Sequence, residues 1–553
     1  KDKAKKSIYT IIFLFIALFL CLPIIAPAEE IPPENTSGVK IKIERIPPEN
    51  TSGANKEEIT PRNTSGVQIK KITPEGTTIQ IEKIPPENTS GGQIEKIPQE
   101  NTSGVQIEKI PPEGTTIQIE KNPPGNAPDV QIAKPAELSD ENQTQFQKFK
   151  NYFSADLRIL TYGVIQEPSK SSQNPNNDFI QIPQYTANAE IRPDFRFDSK
   201  FLELAFKPRA KFDFKAWQEG VREDETEWKD DWYINEWLVR LKILDRIFVS
   251  YGRENLQWGP SFLFSPSNPF FSDNGRSNPY MEVPGMDFAR LVLIPHSLWT
   301  MSVIVNTNEG RNPLLGLDPF EITAAAKIDF TGRKYYASLI FSERDSDVTV
   351  GFFGGWTVSD AVLLYGEGSL AKGSRALYPQ KDASPFGASM QKIHEDDSDI
   401  KPVILAGASY TFANSGTFSL EYLYNAPGYS NEEADLYYIL RQNAADAFEA
   451  GGIMGLLGQG VLSQTANPGL RFLRKNYVLL QYYQGNILSK LDLTFRWTQN
   501  LDDVSGQFLG LLSYSLGNHW ELFSSGVINA GPRDTEFGSI LNYQVMFGLK
   551  FTL

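Results

Sequence analysis

Charged side chains recur at alternate positions over residues 190–242, and they have the clearest potential for chemistry in this chain. Alternate residues of an extended strand point to the same face, so these charges would share one face of neighbouring strands. The basic members, called the basic stripe below, are Arg192, Arg196, Lys207, Arg209, Lys211, Lys215, Arg240 and Lys242. The acidic members are Glu190, Asp194, Glu203, Asp213 and Glu236. The basic excess could bind or select anions, or the charges could pair across strands and only hold the sheet together.

The chain offers little for catalysis or for a cofactor. It contains one cysteine, Cys21, and three histidines, His296, His394 and His519. A single cysteine excludes a disulfide, a cysteine metal cluster and a haem-attachment motif, and His296 and His519 fall in expected turns. The acidic run around His394 could hold Ca²⁺ through oxygen ligands, or it could be a solvated loop. We therefore predict no enzyme activity, no catalytic residue, no resident metal and no cofactor.

Long alternating strands must position the basic stripe. Around residue 204, Leu202, Leu204 and Phe206 share one face while Glu203 and Lys207 share the other. Such runs extend over about 10 to 15 residues, whereas strands of ordinary sheets average about 5 or 6. A tilted membrane-spanning strand needs about 9 to 11 residues, and a charged face suits a water-filled lumen. Residues 146–553 are therefore predicted to form an all-β, transmembrane antiparallel β-barrel, with a soluble β-sandwich as the alternative.

The alternation predicts about 18 strands, within a range of 16–18. The expected strands begin near Ser154, Tyr185, Phe201, Asp231, Arg246, Met286, Trp299, Glu321, Lys334, Val348, Val362, Pro402, Thr417, Tyr477, Ser489, Gly506, His519 and Ser539. Short connections alternate with generally longer ones at 167–184, 218–230, 259–285, 308–320, 371–401 and 426–476. Short periplasmic turns and long outer loops are typical of outer-membrane barrels, and an even strand count places both barrel ends in the periplasm.

Tryptophans are expected at both membrane interfaces, where aromatic girdles form. The outer strand ends would carry Trp217, Trp232, Trp258 and Trp497, and the inner ends Trp299, Trp356 and Trp520.

Two long outer segments are candidate constrictions. Segment 259–285 is rich in Pro, Ser, Asn and Phe, and Arg253, Trp258 and Asn268 are the constriction candidates at or near its start. Segment 426–476 contains a capping-box pattern, Ser430-Asn-Glu-Glu433, followed by a helical apolar face. This pattern predicts a helix of about five turns, either a plug in the pore or a lid on the surface. The glycine-rich stretch 451–460 is expected to be mobile.

Residues 252–270 resemble a known motif. The chain reads Gly252-Arg253-Glu-Asn-Leu-Gln-Trp258-Gly259-Pro260 and later Asn268-Pro269-Phe270. This resembles the Gly-Arg strand end followed by Trp-Gly and Asn-Pro in alginate-export and capsule-assembly outer-membrane barrels. The resemblance implies an eighteen-stranded or similar barrel that handles anionic polysaccharide or other solutes. The carboxy-terminal run 548–553 also resembles the assembly signal of outer-membrane barrels.

The amino-terminal part has a different composition. Residues 1–28 combine a basic start, a short apolar stretch and Ala26-Pro27-Ala28, which predicts a cleaved signal peptide. Residues 29–145 contain a proline-rich repeat of about 13 residues. Its copies begin at Ile31, Ile46, Ile59, Ile72, Ile84, Ile97, Ile110 and Asn122. Pro-Pro and Asn-Thr-Ser-Gly favour an extended or disordered periplasmic tether, and an array of docking motifs is the alternative.

These patterns together predict an outer-membrane, porin-like channel for passive diffusion of small hydrophilic, possibly anionic, solutes. Two alternatives are a barrel that exports or anchors surface polysaccharide and a structural protein that tethers the envelope. The expected partners are outer-membrane lipid, small solutes or anionic polysaccharide, and a periplasmic partner or peptidoglycan bound through the repeat. Association into a homotrimer is left open. A net charge of −14 argues against nucleic acid as a partner.

Overall fold

A computed structural model describes residues 152–553, apart from 272–274, 277, 312–319 and 394–397, together with the backbone of five short strands in the repeat. The expected signal peptide, His394 and most of the repeat lie outside the described residues. The short strands are Val39–Glu44, Lys71–Ile72, Thr78–Lys83, Val105–Gln106 and Glu120–Lys121. The first three form one antiparallel sheet and the last two form another. The tether itself stays a prediction.

Eighteen antiparallel strands close into one barrel, in which each strand pairs with the next and β18 pairs with β1. The strands are β1 (Phe153–Pro168), β2 (Tyr185–Asp198), β3 (Leu202–Ala216), β4 (Thr226–Ile243), β5 (Ile247–Glu254), β6 (Met286–His296), β7 (Trp299–Asn308), β8 (Thr323–Thr331), β9 (Tyr335–Arg344), β10 (Asp347–Thr357), β11 (Val362–Lys372), β12 (Ile400–Thr411), β13 (Thr417–Asn425), β14 (Asn476–Ile487), β15 (Leu491–Asn500), β16 (Gly506–Leu516), β17 (Trp520–Ala530) and β18 (Leu541–Thr552). The predicted antiparallel barrel is confirmed, at the upper end of the expected strand count.

The barrel places apolar side chains outside and charged side chains inside. On β3, Leu204, Phe206 and Phe212 are exposed, whereas Glu203 and Arg209 are buried. The same exposure of large apolar groups recurs around the circumference, for example at Leu364 on β11 and Phe495 on β15. This arrangement is the inverse of a soluble protein, in which charged residues are almost never buried without partners. It requires an apolar surrounding for the outer surface.

The connections alternate as expected. One end of the barrel, the short-turn end, has two- to five-residue links, and the other, the long-loop end, carries the extended segments. Two features differ in detail. Strand β4 begins at Thr226 instead of near Asp231, because Lys229 and Trp228 continue the pairing with Asp213 and Phe214. Strands β9 and β10 are joined at the long-loop end by only Asp345 and Ser346, both with positive φ, which suits a two-residue hairpin.

The tryptophans at the two ends of the barrel differ in their exposure. At the short-turn end Trp299, Trp356 and Trp520 are exposed on the outer surface as predicted. At the long-loop end Trp232 is exposed, but the outer-girdle prediction is wrong for Trp217, which is buried and donates its indole N–H to the Gln181 carbonyl at 2.7 Å. It is also wrong for Trp258, whose indole packs edge-on against Phe270, a residue of the same connecting segment. Loop packing, which alternation cannot reveal, decides both.

A helical hairpin occupies the connection between β13 and β14. Helix α1 spans Asn431–Ala450 and begins with the predicted capping box, in which Ser430 and Glu433 bond each other's backbone amides. Helix α2 spans Gly452–Ala466, so the stretch expected to be mobile is helical. A side chain at Gly458 would collide with the Ala444 carbonyl oxygen, which shows that this glycine allows close helix packing. Neither helix in the described part is both long and apolar enough to cross a membrane.

Candidate functional site

A long segment that crosses the barrel interior defines the candidate site. Residues 255–285, called the inner loop below, join β5 to β6 at the long-loop end. The described part of this loop contacts Glu367 on β11, Glu421 on β13, Phe523 on β17 and Arg192 on β2. Because these strands lie on widely separated parts of a closed barrel, a segment that reaches all of them must cross the lumen. The loop therefore forms part of any path through the barrel.

Two carboxylates of the barrel wall fasten the inner loop on one side. Glu421 accepts the backbone N–H groups of Phe262 and Leu263 at 2.7 and 2.9 Å. Glu367 accepts the hydroxyls of Ser265 and Ser267 at 2.6 and 2.7 Å. Both glutamates have 0% exposed surface. Buried carboxylates are retained only where hydrogen bonds replace water, so the loop and these two glutamates depend on each other.

A glycine allows this approach. Gly259 has φ +91°, and a Cβ there would overlap the Glu367 carboxylate. Only glycine combines that backbone conformation with such close contact. The close approach of the Glu367 carboxylate thus explains why glycine follows Trp258.

The opposite side of the inner loop docks on β17 and on β2. The ring of Tyr280 stacks on Phe523 with 3.8 Å between centroids, and its hydroxyl donates to Glu521 at 2.9 Å. Glu521 also pairs with Lys550 on β18 at 2.5 Å. The Tyr280 carbonyl accepts from Arg192 at 2.9 Å. An aromatic stack and charge-assisted bonds thus hold the second side of the loop.

Arg209 is the most enclosed residue of the basic stripe, with a side chain 2% exposed. Its Nε and Nη2 bind both oxygens of Glu282 on the inner loop at 2.6 and 2.7 Å. Nη2 also lies 2.8 Å from Asp194, and Nη1 donates to the carbonyls of Pro193 and Pro208. Every nitrogen of this guanidinium therefore faces an oxygen.

The remaining basic residues also lie beside acids. Arg192 binds Glu190, and Arg196 and Arg240 share Glu203 at 2.8 Å each. Lys207 pairs with Glu236 at 3.0 Å and Lys211 with Asp213 at 3.2 Å, and both lysines remain partly exposed. Lys242 pairs with Asp198, and Lys215 lies opposite Thr186 and Glu227 in the sheet register. The structure brings the stripe together on β2 to β4 and adds three acids, Asp198, Glu254 and Glu282, to its expected neighbours.

The three constriction candidates lie just before the inner loop or in its first half. Arg253 is the penultimate residue of β5 and pairs with Asp287 on β6 at 2.7 Å. The Trp258 ring packs edge-on against Phe270, and the Lys327 ammonium lies 5.5 Å from its centroid. Asn268 accepts the backbone N–H groups of Phe270 and Phe271 and donates to the Leu256 carbonyl. Trp258 and Asn268 thus stabilise the inner loop through contacts with other residues of the loop. Arg253 links β5 to β6 next to the start of the loop.

The helical hairpin, together with its flanking residues 426–475, forms a cap on neighbouring loops of the long-loop end. Tyr429, Tyr437 and Leu440 pack with Tyr378 and Met390 of a loop hairpin formed by Leu377–Lys381 and Ala388–Lys392. Helix α1 reaches the loop between β17 and β18 through an ion pair of Arg441 with Asp534 at 2.9 Å. In the described residues the insertion therefore lies on the outer loops, as the lid alternative expected.

Sequence reasoning missed Glu367, Glu421 and Glu282. Glu367 and Glu421 are single acidic residues at inward positions. They end the runs Val-Leu-Leu-Tyr-Gly-Glu and Thr-Phe-Ser-Leu-Glu, whose other residues are uncharged. An isolated acid in such an apolar strand was the available signal, because it needs a partner from elsewhere in the chain. Glu282 carried no signal of its own.

Outside the undescribed gaps of residues 152–553, no group of three His, Cys, Asp or Glu side chains is arranged to hold a metal ion.

A buried carboxyl in an outer loop is expected to make the docking of that loop depend on pH. Glu536, between β17 and β18, accepts from the Leu473 amide at 2.9 Å and the Asn500 side chain at 2.8 Å, and also from Tyr477. Burial, aided by the charge of nearby Asp503, raises its pKa from 4.5 to about 7 against the lowering effect of these hydrogen bonds. Between about pH 4.5 and pH 7 the docked loop is therefore expected to hold a proton that an opened loop would release.

Raising the pH is expected to loosen this contact. An opened loop loses its proton near pH 4.5 and the docked loop near pH 7, so docking weakens as pH rises between these values. Between pH 6 and pH 8 the hydrogen-exchange protection of the Leu473 amide should fall about tenfold after correction for intrinsic exchange. Glu536→Gln should remove this dependence. Equal pH dependence in both proteins would show that Glu536 is not the responsible group.

Comparison with known proteins finds similar structures of low sequence identity, but no similar sequence. No protein-family profile and no curated protein sequence matches the chain. Among solved structures it is similar to OprD, an outer membrane protein of Pseudomonas aeruginosa, with 9% identity and a TM-score of 0.44 over 72% of this chain and 94% of that one. It is also similar to OccK11 (OpdR) of the same organism, with 13% identity and a TM-score of 0.41 over 72% and 96%. OccAB3 of Acinetobacter baumannii gives 10% and 0.42 over 72% and 99%.

Proposed function

We propose that this chain is a porin-like channel of the bacterial outer membrane, through which small hydrophilic, anionic solutes diffuse passively. The observation that carries the proposal is the inverted barrel, with an apolar outer surface and a charged interior crossed by the inner loop. An apolar exterior around eighteen closed strands suits lipid, since closure satisfies every strand edge. A charged, loop-narrowed interior suits water and solutes selected by size and charge.

The partly exposed lysines of the basic stripe are the proposed contacts for anions. Lys207 and Lys211 each have a single acidic neighbour at about 3 Å and keep part of their side chains open. An ammonium with three donors can hold one carboxylate and still bind a passing anion. The buried members, Arg192 and Arg209, are proposed to shape the wall and the loop.

Planar-bilayer recording of the purified, refolded protein tests this function. Steady steps with a reversal potential that favours anions in a salt gradient are expected. Replacing Lys207 and Lys211 together by Gln should reduce the anion-to-cation permeability ratio by about two- to threefold, because each lysine adds one local positive charge. Lys490→Gln, in a short turn, is the matched control. Silent membranes with correctly folded protein would contradict the channel itself.

The location of the repeat and its partners is part of the same proposal. An even number of strands leaves both ends of the barrel at the short-turn end, which is the periplasmic side in outer-membrane barrels. Residues 29–145 would then extend into the periplasm, where peptidoglycan or a protein is available to bind the repeated unit.

A further inference from the structure

The outer surface of strands β3 and β4 carries four exposed or partly exposed aromatic rings near the long-loop end. Trp228 and Trp232 on β4 have 77% and 68% of their surface exposed, more than any other tryptophan of the chain. Trp228 packs against Phe214 with 4.7 Å between ring centroids, and Trp232 packs edge-on against Phe212 at 5.9 Å. These four residues, called the outer aromatic patch below, continue the apolar side of the two strands and face away from the lumen.

The outer aromatic patch extends higher than the apolar band of the barrel. The exposed tryptophans of the short-turn end mark the inner edge of this band, which is about 25 Å tall in outer-membrane barrels. Strand β4 has 18 residues, and at about 3.3 Å per residue and a tilt of about 40° it rises about 45 Å. Trp232 therefore lies near the outer edge of the band, and Trp228 lies about 10 Å beyond it, at the level of lipid headgroups.

The outer part of β4 is open to the membrane from the side. Strand β5 pairs with β4 only between Trp237 and Ile243, so residues 226–236 rise above β5. A lipid beside β5 can therefore bring its headgroup against the patch.

A carboxylate stands between the two tryptophans. Asp230 lies two residues from each of them along β4, so alternation places it on the same outward face. Its side chain is exposed and forms no ion pair or hydrogen bond within the described part of the chain. The other outward positions of β2 and β3 at this level are Tyr185, Ala187, Ala189, Ile191, Ala210 and Ala216, all uncharged. A phosphate headgroup would meet one repelling charge here and no cation.

Exposed rings on both sides of a carboxylate match the chemistry of a sugar. The C–H groups on one face of a hexose pack against an aromatic ring, whose face carries partial negative charge. The hydroxyls at the edge of the hexose can donate to a carboxylate, which is an acceptor only. Acyl chains could cover the rings, but they would leave the charge of Asp230 without water or a partner.

We propose that the outer aromatic patch and Asp230 bind the uncharged sugar units of a glycolipid in the outer leaflet. The patch is continuous with the lipid-facing band, so a lipid whose acyl chains cover Trp232 presents its headgroup to Trp228. This inference rests on the proposed location of the barrel in the outer membrane. It goes beyond the channel function, because the site lies outside the lumen.

The test measures lipid retention on the purified, refolded protein by native mass spectrometry. The probe is digalactosyl diacylglycerol, and phosphatidylglycerol with the same acyl chains is the reference, so only the headgroup differs. The parent protein should bind the glycolipid about tenfold more tightly than the reference. Trp228→Ala should reduce this preference about fivefold, a typical value for one aromatic contact, and Asp230→Asn should reduce it by a similar factor.

Two further variants separate the site from general effects. Trp356→Ala removes a ring that is exposed at the short-turn end, so this matched control should keep the preference of the parent. Trp228→Phe keeps an aromatic ring and should keep most of the preference, which excludes misfolding as the cause of a loss in Trp228→Ala. Free galactose at the same concentration should not displace the glycolipid, because it lacks the acyl chains that hold the headgroup at the patch.

Three outcomes would overturn the inference. One is equal binding of the two lipids by the parent, and another is an equal loss in Trp228→Ala and Trp356→Ala. The third is a parent that forms dimers or trimers which Trp228→Ala dissociates, without any preference for the glycolipid, since the patch would then be an interface between copies. Planar-bilayer conductance, recorded in parallel, keeps these results apart from the proposed function. A parent that conducts without a glycolipid preference refutes this inference alone, whereas a folded parent that does not conduct refutes the channel.

Discussion

Replacing Glu367 and Glu421 together by glutamine is expected to raise the single-channel conductance by about two- to fivefold, since pore cross-section limits ion flow. Each glutamate binds loop hydrogen-bond donors while fully buried in the wall. Glutamine has the same shape, but it keeps one acceptor oxygen and brings an NH₂ group that faces other donors. The loop should therefore detach on this side and leave a wider lumen.

Several measurements separate loop release from barrel damage. The double variant should still migrate as a folded barrel before heating in detergent, because every strand pairing is intact. Glu223→Gln, in the exposed loop between β3 and β4, is the matched control and should conduct as the parent protein does. Hydrogen exchange at Phe262 and Leu263 should lose protection in the double variant. Unchanged conductance combined with that lost protection would show that the inner loop does not limit flow.

The second large effect is expected at Arg441 in the cap. Its side chain is fully buried, donates to Ser172 and Asp534 at 2.9 Å each, and lies against the Tyr438 ring. These contacts join helix α1 to two separate outer loops. Arg441→Ala should destabilise cap docking by about 2 kcal/mol, a typical value for hydrogen bonds of a charged group. That loss corresponds to about thirtyfold less protection of the α1 amides from hydrogen exchange.

The control for Arg441 is its neighbour in the helix. Gln442 is exposed and bonds only within α1, to Asp446 at 2.7 Å among the described contacts, so Gln442→Ala should leave protection nearly unchanged. Arg441→Lys should recover part of the protection, because a lysine keeps the charge but not the forked contact. If Arg441→Ala and Gln442→Ala behave alike, the cap is held by its apolar contacts with the loop hairpin and not by this ion pair.

Sequence reasoning was most successful where a local pattern repeats. Alternation predicted the barrel and eighteen strands, and a capping box predicted the start of α1. It failed for Trp217, Trp258 and the glycine-rich start of α2, where packing within the loops and between the two helices decides the outcome and alternation does not. The basic stripe was placed on one wall from spacing alone. Its function in anion selection is still a prediction, because the acidic partners of the stripe come partly from outside the pattern.

The sequence by itself determined which residues share a face, since period two in a strand is a local property of the backbone. It also determined the alternation of short turns and long loops, because turn residues act within a few positions of themselves. Only the tertiary structure decided that the described part of residues 255–285 folds into the barrel and that Glu282 binds Arg209. The acceptors and donors that hold that loop come from β1, β2, β3, β11, β13, β15 and β17, and no local pattern encodes a contact between positions 73 or 159 residues apart.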